Sequence, residues 1–82
     1  MHIDVYRNLK PGDRLTVELD ERLRIARVVG WEQATLVVQL KRFNMEGWYG
    51  RNIRVTPAQC VQVTYTANQV HMSAMLPGGS AA

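Results

Sequence analysis

Ala34-Thr35-Leu36-Val37-Val38-Gln39-Leu40 is the clearest strand pattern in this chain of 82 residues. Aliphatic side chains occupy positions 36, 38 and 40, while Val37 and Gln39 fall on the opposite face. Successive side chains of a β-strand point to opposite sides, so this alternation predicts a strand with one face in a hydrophobic core. Its neighbours in the sequence should supply the strands that pair with it.

Two strands are predicted before this segment. Leu15, Val17 and Leu19 alternate with polar residues, which is typical of a half-buried strand. The next run, 23–29, leads into Gly30 and loses clean alternation, so we expect a second strand that is more deeply buried or bends. The turns that delimit these strands are predicted at Pro11-Gly12, Asp20-Glu21-Arg22 and Glu32-Gln33.

Two short strands are predicted after it. Asn52-Ile53-Arg54-Val55 alternates with Ile53 and Val55 inward, and the apolar run 60–65 forms the last strand. Between them, Thr56-Pro57-Ala58-Gln59 has an N-cap residue followed by a proline, which predicts one helical turn. The fold class is therefore all-β, a small five-stranded antiparallel barrel with one helical turn before the last strand.

The order of these parts resembles the SH3-like barrel, including its KOW and Tudor variants. The resemblance is carried by Pro11-Gly12-Asp13, by Arg27-Val28-Val29-Gly30-Trp31 and by Ile53-Arg54-Val55-Thr56-Pro57, and it covers about residues 9 to 65. It implies a fold more than a function. Many relatives of this shape bind RNA, DNA or peptides with the loops at one end of the barrel.

A second resemblance is local. Gly12-Asp13-Arg14-Leu15 and Val28-Val29-Gly30-Trp31 look like stretches of plasmid-type dihydrofolate reductase, a small barrel that is active as a tetramer. That family has a Val-Gln-Ile-Tyr segment before its last helical turn, whereas this chain has Asn52-Ile53-Arg54-Val55 there. The glutamine and tyrosine that line the family's pore are absent, so reductase activity is not expected.

Chain length and composition predict one domain, residues 1–70, followed by a flexible tail over residues 71–82. A domain of this size buries only about 60% of the surface of its unfolded chain, so assembly into a homo-oligomer would add stability that the monomer lacks. The first residues lack the positive lead and apolar run of a signal peptide, and we expect a cytoplasmic protein without a membrane span.

Catalytic and metal-binding patterns are weak. Cys60 is most simply a buried apolar side chain, and His2 and His71 are too far from it in sequence to suggest a zinc site. Adjacent carboxylates at Asp20-Glu21 point to opposite faces of a strand or to solvent in a turn. We therefore expect no enzyme, no cofactor and no metal.

The segment 41–54 has the composition of a contact surface. Four cations and three aromatic residues lie within these fourteen positions, and the chain carries a formal net charge of +3. Cations attract phosphate and planar rings stack on bases, so the segment predicts nucleic-acid binding, to DNA or RNA. Arg22 and Arg24 share strand parity and would extend this surface together, whereas Arg27 has the opposite parity. The predicted site residues are Lys41, Arg42, Phe43, Trp48, Tyr49, Arg51 and Arg54.

Protein interaction is the alternative. Exposed rings and open strand edges also dock proteins, as in an adaptor, an assembly module or a small regulator or inhibitor from a mobile element. Met72, Met75 and Leu76 would add an adaptable apolar patch. Phosphate binding weakens steeply with salt, whereas aromatic docking to a protein changes little, so ionic strength separates the two hypotheses.

Overall fold

Five antiparallel strands form one sheet in the computed structural model, which describes residues 1–67. The predicted tail and the patch at Met72, Met75 and Leu76 lie outside the described residues. The elements, in chain order, are helix α1 (Ile3–Arg7), strands β1 (Arg14–Leu19), β2 (Arg22–Glu32), β3 (Thr35–Leu40) and β4 (Ile53–Val55), a 3₁₀ turn (Pro57–Gln59) and strand β5 (Cys60–Tyr65).

The strands lie in the order β4-β3-β2-β1-β5, and every neighbouring pair is antiparallel. The predicted all-β class, the five strands and the helical turn before the last strand are confirmed. No pairing joins β4 to β5 within residues 1–67, so the described sheet is open rather than closed into a barrel. Its two edges are therefore the short strand β4 and the longer strand β5.

Both tight hairpins use two residues with positive φ. Asp20 (51°) and Glu21 (65°) connect β1 to β2, and Gln33 (51°) and Ala34 (65°) connect β2 to β3. Positive φ at both central positions is the geometry of a type I′ turn, whose twist matches the flanking strands. The predicted turn at Glu32-Gln33 is displaced by one residue, since Glu32 still pairs with Thr35 in the sheet.

Strand β2 bends at one extra residue. Val28 pairs with Val38 and Gly30 with Val37, so Val29 is a β-bulge without a partner in β3. Such a bulge re-aims the side chains that follow it. The bend expected in this strand has this cause, whereas the deeper burial does not occur, because Leu23 and Ile25 are exposed. Trp31 lies beyond the bulge, where its ring meets Tyr6 edge-on at 5.1 Å between centroids.

The inner face of the sheet carries the core. Leu15, Val17, Leu36, Val38 and Val55 have no solvent-exposed surface, as the alternation of the sequence predicted. The opposite, outer face of the central strands presents polar and basic residues, Arg14 on β1, Arg27 on β2 and Gln39 on β3. Leu23 and Ile25 continue this outer face along β2, whereas Arg22 and Arg24 share the parity of the core positions.

The segment before β1 packs into the core through Tyr6 and Leu9, a contribution that sequence reasoning did not identify. Asp13, also buried, accepts hydrogen bonds from the backbone N–H groups of Lys10 (3.0 Å) and Ala67 (2.9 Å). Asp13 therefore connects the turn before β1 to the chain after β5.

Within residues 1–67, no helix has the length and apolar character needed to cross a membrane.

Candidate nucleic-acid groove

The loop that follows β3 is a small ordered hairpin. Lys41 pairs with Trp48 in an isolated antiparallel bridge, and the N–H of Arg42 donates to the carbonyl of Gly47 at 3.0 Å. Gly47 has a φ of 96°, which glycine adopts without steric cost. Lys41 Nζ also donates to the carbonyl of Met45 at 2.9 Å. Hydrogen bonds of the backbone and of the Lys41 side chain therefore close the loop on itself.

An open groove of about 580 Å³ lies between this loop and strand β2. Such a volume is within the range of small-molecule and nucleotide sites. We call it the basic groove, because four of its lining residues are cations. Its lining comprises the contiguous β2 residues Arg22, Leu23, Arg24 and Ile25, together with Lys41, Arg42, Phe43, Asn44, Met45 and Tyr49 from the loop.

Within residues 1–67, the cations of the basic groove have no acidic partner. Among the lysines and arginines, all of which lie in the described part of the chain, only Arg54 forms an ion pair with a carboxylate. The groove lining contains no aspartate or glutamate. Arg24 donates to the carbonyl of Lys41 at 3.4 Å, a contact that leaves its charge uncompensated. The groove therefore presents net positive charge to solvent.

Aromatic and apolar surface adjoins these charges. Phe43 is 75% exposed and Tyr49 is 45% exposed, so neither ring is a core plug. Leu23 and Ile25 are also largely exposed on the same side. Large apolar side chains left in water beside cations are typical of contact surfaces for bases or for proteins.

Trp48 lies outside the groove lining. Its ring contacts two arginines, and the sequence pattern did not predict either contact. The guanidinium carbons of Arg14 and Arg27 lie 5.4 and 5.1 Å from its ring centroid. Arg14 also approaches the ring of Tyr65 at 4.9 Å. These are cation–π distances. The sequence contained one signal of this contact. Arg27 has the strand parity opposite to that of Arg22 and Arg24, which places its side chain on the outer face.

The remaining predicted residues do not line the groove. Arg54 lies on β4 opposite Val37, where its Nε is 3.4 Å from a carboxylate oxygen of Glu32. Arg51 is exposed in the loop before β4. The structure thus brings together Lys41, Arg42, Phe43 and Tyr49 from the predicted set and adds Arg22 and Arg24.

Cys60 is buried at the start of β5, as the sequence predicted. Burial raises the pKa of its thiol to about 11, against a smaller lowering by the N-terminal ammonium group. A thiol in this environment is a poor nucleophile at neutral pH. Residues 1–67 contain no group of three histidine, cysteine or acidic side chains arranged to hold a metal ion.

No family model matches the chain, and no curated protein or solved structure shows significant similarity to it.

Proposed function

We propose that this chain is a non-catalytic domain of the SH3-like barrel type that binds single-stranded nucleic acid through the basic groove. Two features support the barrel type. The strand order places β1 between β2 and β5, and a single 3₁₀ turn precedes the last strand. The binding proposal depends on one observation, which is the meeting of four cations without acidic partners and two exposed rings in one groove.

The chemistry of the groove favours a single strand over a duplex. Phe43 offers most of its ring to solvent, and stacking on such a ring requires a base whose face is free. In a duplex the base faces are covered by their neighbours, so only phosphates and groove edges are accessible. The guanidinium groups of Arg22, Arg24 and Arg42 suit phosphate oxygens because their donors match them in pairs.

A salt titration tests this proposal. Fluorescein-labelled single-stranded and duplex oligonucleotides are titrated with the protein while fluorescence anisotropy is followed. If four groove cations contact phosphates of a single strand, the logarithm of the binding constant falls with the logarithm of salt concentration with a slope of about −2.8. Absence of binding to either oligonucleotide at low salt would rule the proposal out.

Matched variants locate the site. Replacing Arg22 and Arg42 by glutamine should lower the slope by about 1.4, because two phosphate contacts lose their charge. Replacing Arg7 and Lys10, which are exposed and outside the groove, removes the same charge and should leave affinity nearly unchanged. We leave Lys41 intact in this test because its ammonium group donates to the backbone carbonyl of Met45, whereas Arg42 contacts only the sulfur of that residue.

The ring of Phe43 has its own test. Phe43→Ala should weaken binding by about 1–3 kcal/mol, the usual loss when a stacking aromatic is removed. Because this side chain is exposed, the folded state should lose little stability. Val61→Ala, at an exposed valine on β5, is the control for removing apolar surface elsewhere.

Protein docking is the second candidate function, since Leu23, Ile25, Phe43 and Met45 expose half or more of their surface on this groove. A partner that binds mainly by apolar contact would depend on these side chains and respond weakly to salt. A protein partner whose affinity changes little with salt and is lost in Phe43→Ala would favour this alternative.

A further inference from the structure

Arg14 and Arg27 are two like charges held side by side on the outer face. They are directly opposite partners in the β1–β2 register. Both guanidinium carbons lie near the same Trp48 centroid, so they are within roughly 10 Å of each other, a Debye length at 0.1 M salt. Like charges directly opposite across an antiparallel pair destabilise it. An anion between them would remove this repulsion.

The two arginines have donors free for such an anion. Within residues 1–67, Arg14 makes no hydrogen bond through its side chain and no ion pair. Arg27 donates through Nε and Nη2 to the side-chain oxygen of Gln39 at 3.3 and 2.9 Å, which fixes its orientation. A guanidinium has five N–H donors, so most remain available on both residues.

Trp48 connects this arginine pair to the basic groove. Its backbone pairs with Lys41, which lines the groove. Along β2, Ile25 of the groove and Arg27 of the pair are successive outward residues, roughly 7 Å apart along the strand. The groove and the arginine pair therefore adjoin through Ile25 and Trp48, while Arg22 and Arg24 reach the groove from the other face of β2.

We propose that Arg14 and Arg27 form a second phosphate-binding subsite, which a nucleic-acid strand reaches by continuing from the basic groove past Trp48. This inference rests on the proposed function and deepens it. A strand long enough to cover both parts places a phosphate between the two guanidinium groups, while a short strand occupies the groove alone. The arginine pair thus sets the site size and favours longer strands.

Two oligothymidylates test the subsite, one of about 4 and one of about 16 nucleotides, which span the site sizes of small single-strand-binding domains. In the double variant Arg14→Gln/Arg27→Gln, affinity for the long strand should fall roughly tenfold or more at 0.1 M salt, and the salt slope should fall by about 1.4. Affinity for the short strand should stay within about twofold. Arg7→Gln/Lys10→Gln is the charge-matched control.

The lysine double variant Arg14→Lys/Arg27→Lys separates charge from geometry. Lysine keeps the positive charge but loses the paired donors and the planar stacking of arginine. The salt slope for the long strand should therefore stay near that of the unmodified protein, while its affinity falls. This variant also tests the inference if the glutamine variant fails to fold, since unchanged affinity for the long strand would then overturn it.

The failures of the two proposals are distinguishable. If the unmodified protein binds neither strand at low salt, the proposed function is wrong. If Arg22→Gln/Arg42→Gln loses binding but the arginine-pair variant binds the long strand with unchanged affinity and slope, the groove stands and the second subsite is wrong. Equal losses for short and long strands would also overturn the subsite, because the pair would then belong to the groove.

Discussion

Tyr6 completes the hydrogen bonding between β3 and β4 with its hydroxyl group. The hydroxyl donates to the carbonyl of Val55 at 2.6 Å and accepts from the N–H of Leu36 at 3.0 Å. Leu36 and Val55 are register partners, and both are fully buried. The hydroxyl therefore bridges two backbone groups that have no access to water.

Removing this hydroxyl should destabilise the fold, because both buried backbone groups would lose a hydrogen-bond partner. Tyr6→Phe should lower the free energy of unfolding by about 2 kcal/mol and the Tm by roughly 10 °C. Urea and thermal unfolding measure the effect. Tyr49→Phe, at an exposed hydroxyl without a hydrogen bond in the described residues, should change the Tm little. Equal shifts in the two variants would contradict the bridging role.

Cys60 makes stability depend on pH in the alkaline range. Burial raises the pKa of its thiol from 9.0 to about 11 in the folded chain. Between these values the unfolded chain releases the proton and the folded chain keeps it, so the folded state binds more protons and the free energy of unfolding falls as pH rises. Below pH 9 this contribution is constant.

Comparison with Cys60→Ala isolates the thiol. Every other ionisable side chain is present in both proteins, so its contribution cancels in the difference. We expect the difference in unfolding free energy between the two proteins to be constant at neutral pH and to change by about 1–2 kcal/mol between pH 9 and 11, to the disadvantage of the cysteine form. A difference that stays constant to pH 11 would show that the pKa of the thiol is the same in the folded and the unfolded chain.

At the scale of elements, the strands were predictable and the turns less so. Alternation located β1, β3 and β4 because inward side chains must recur every second residue. The 3₁₀ turn followed from Thr56 and Pro57, and Gln59 completes it by accepting from the N–H of Thr56 at 2.9 Å. The turn between β2 and β3 was predicted one residue too early, at Glu32-Gln33, because neither Gln33 nor Ala34 is usual in a type I′ turn.

Ala34 offers a direct test of that turn. Its φ of 65° is unfavourable for alanine but not for glycine. Ala34→Gly should therefore stabilise the fold by up to about 1 kcal/mol, since relief of strain exceeds the added entropy of the unfolded chain. Ala58→Gly, an exposed alanine in the 3₁₀ turn, should destabilise by about 0.5–1 kcal/mol. Thermal unfolding of both variants should show Tm shifts of opposite sign.

For the whole molecule, composition predicted a basic surface but not its arrangement. The loop segment supplied Lys41, Arg42, Phe43 and Tyr49 to the groove because they are close in sequence. The pairing of Arg14 with Arg27 depends on strand register, and their meeting with Trp48 depends on how the loop folds over the sheet. Such long-range placements carry no local sequence pattern.

This charge arrangement predicts the response of stability to salt. Within the described residues, cations lie close together at the basic groove and at the arginine pair, and their repulsion destabilises the fold. Among the lysines and arginines, Arg54 alone forms an ion pair, with Glu32, and this attraction acts in the opposite direction. Exposed ion pairs contribute little, so repulsion dominates the screened interactions.

Raising sodium chloride from about 0.01 M to about 0.3 M should therefore raise the Tm, because it shortens the Debye length from roughly 30 Å to well below 10 Å. In Arg14→Gln/Arg27→Gln the rise should be smaller, since the closest repulsive pair is gone. Differential scanning calorimetry in a non-coordinating buffer measures both, with Arg7→Gln/Lys10→Gln as the control for net charge alone. A Tm that falls with salt would mean that attraction outweighs repulsion in the folded chain, and an equal rise in all three proteins would remove any special role of the arginine pair.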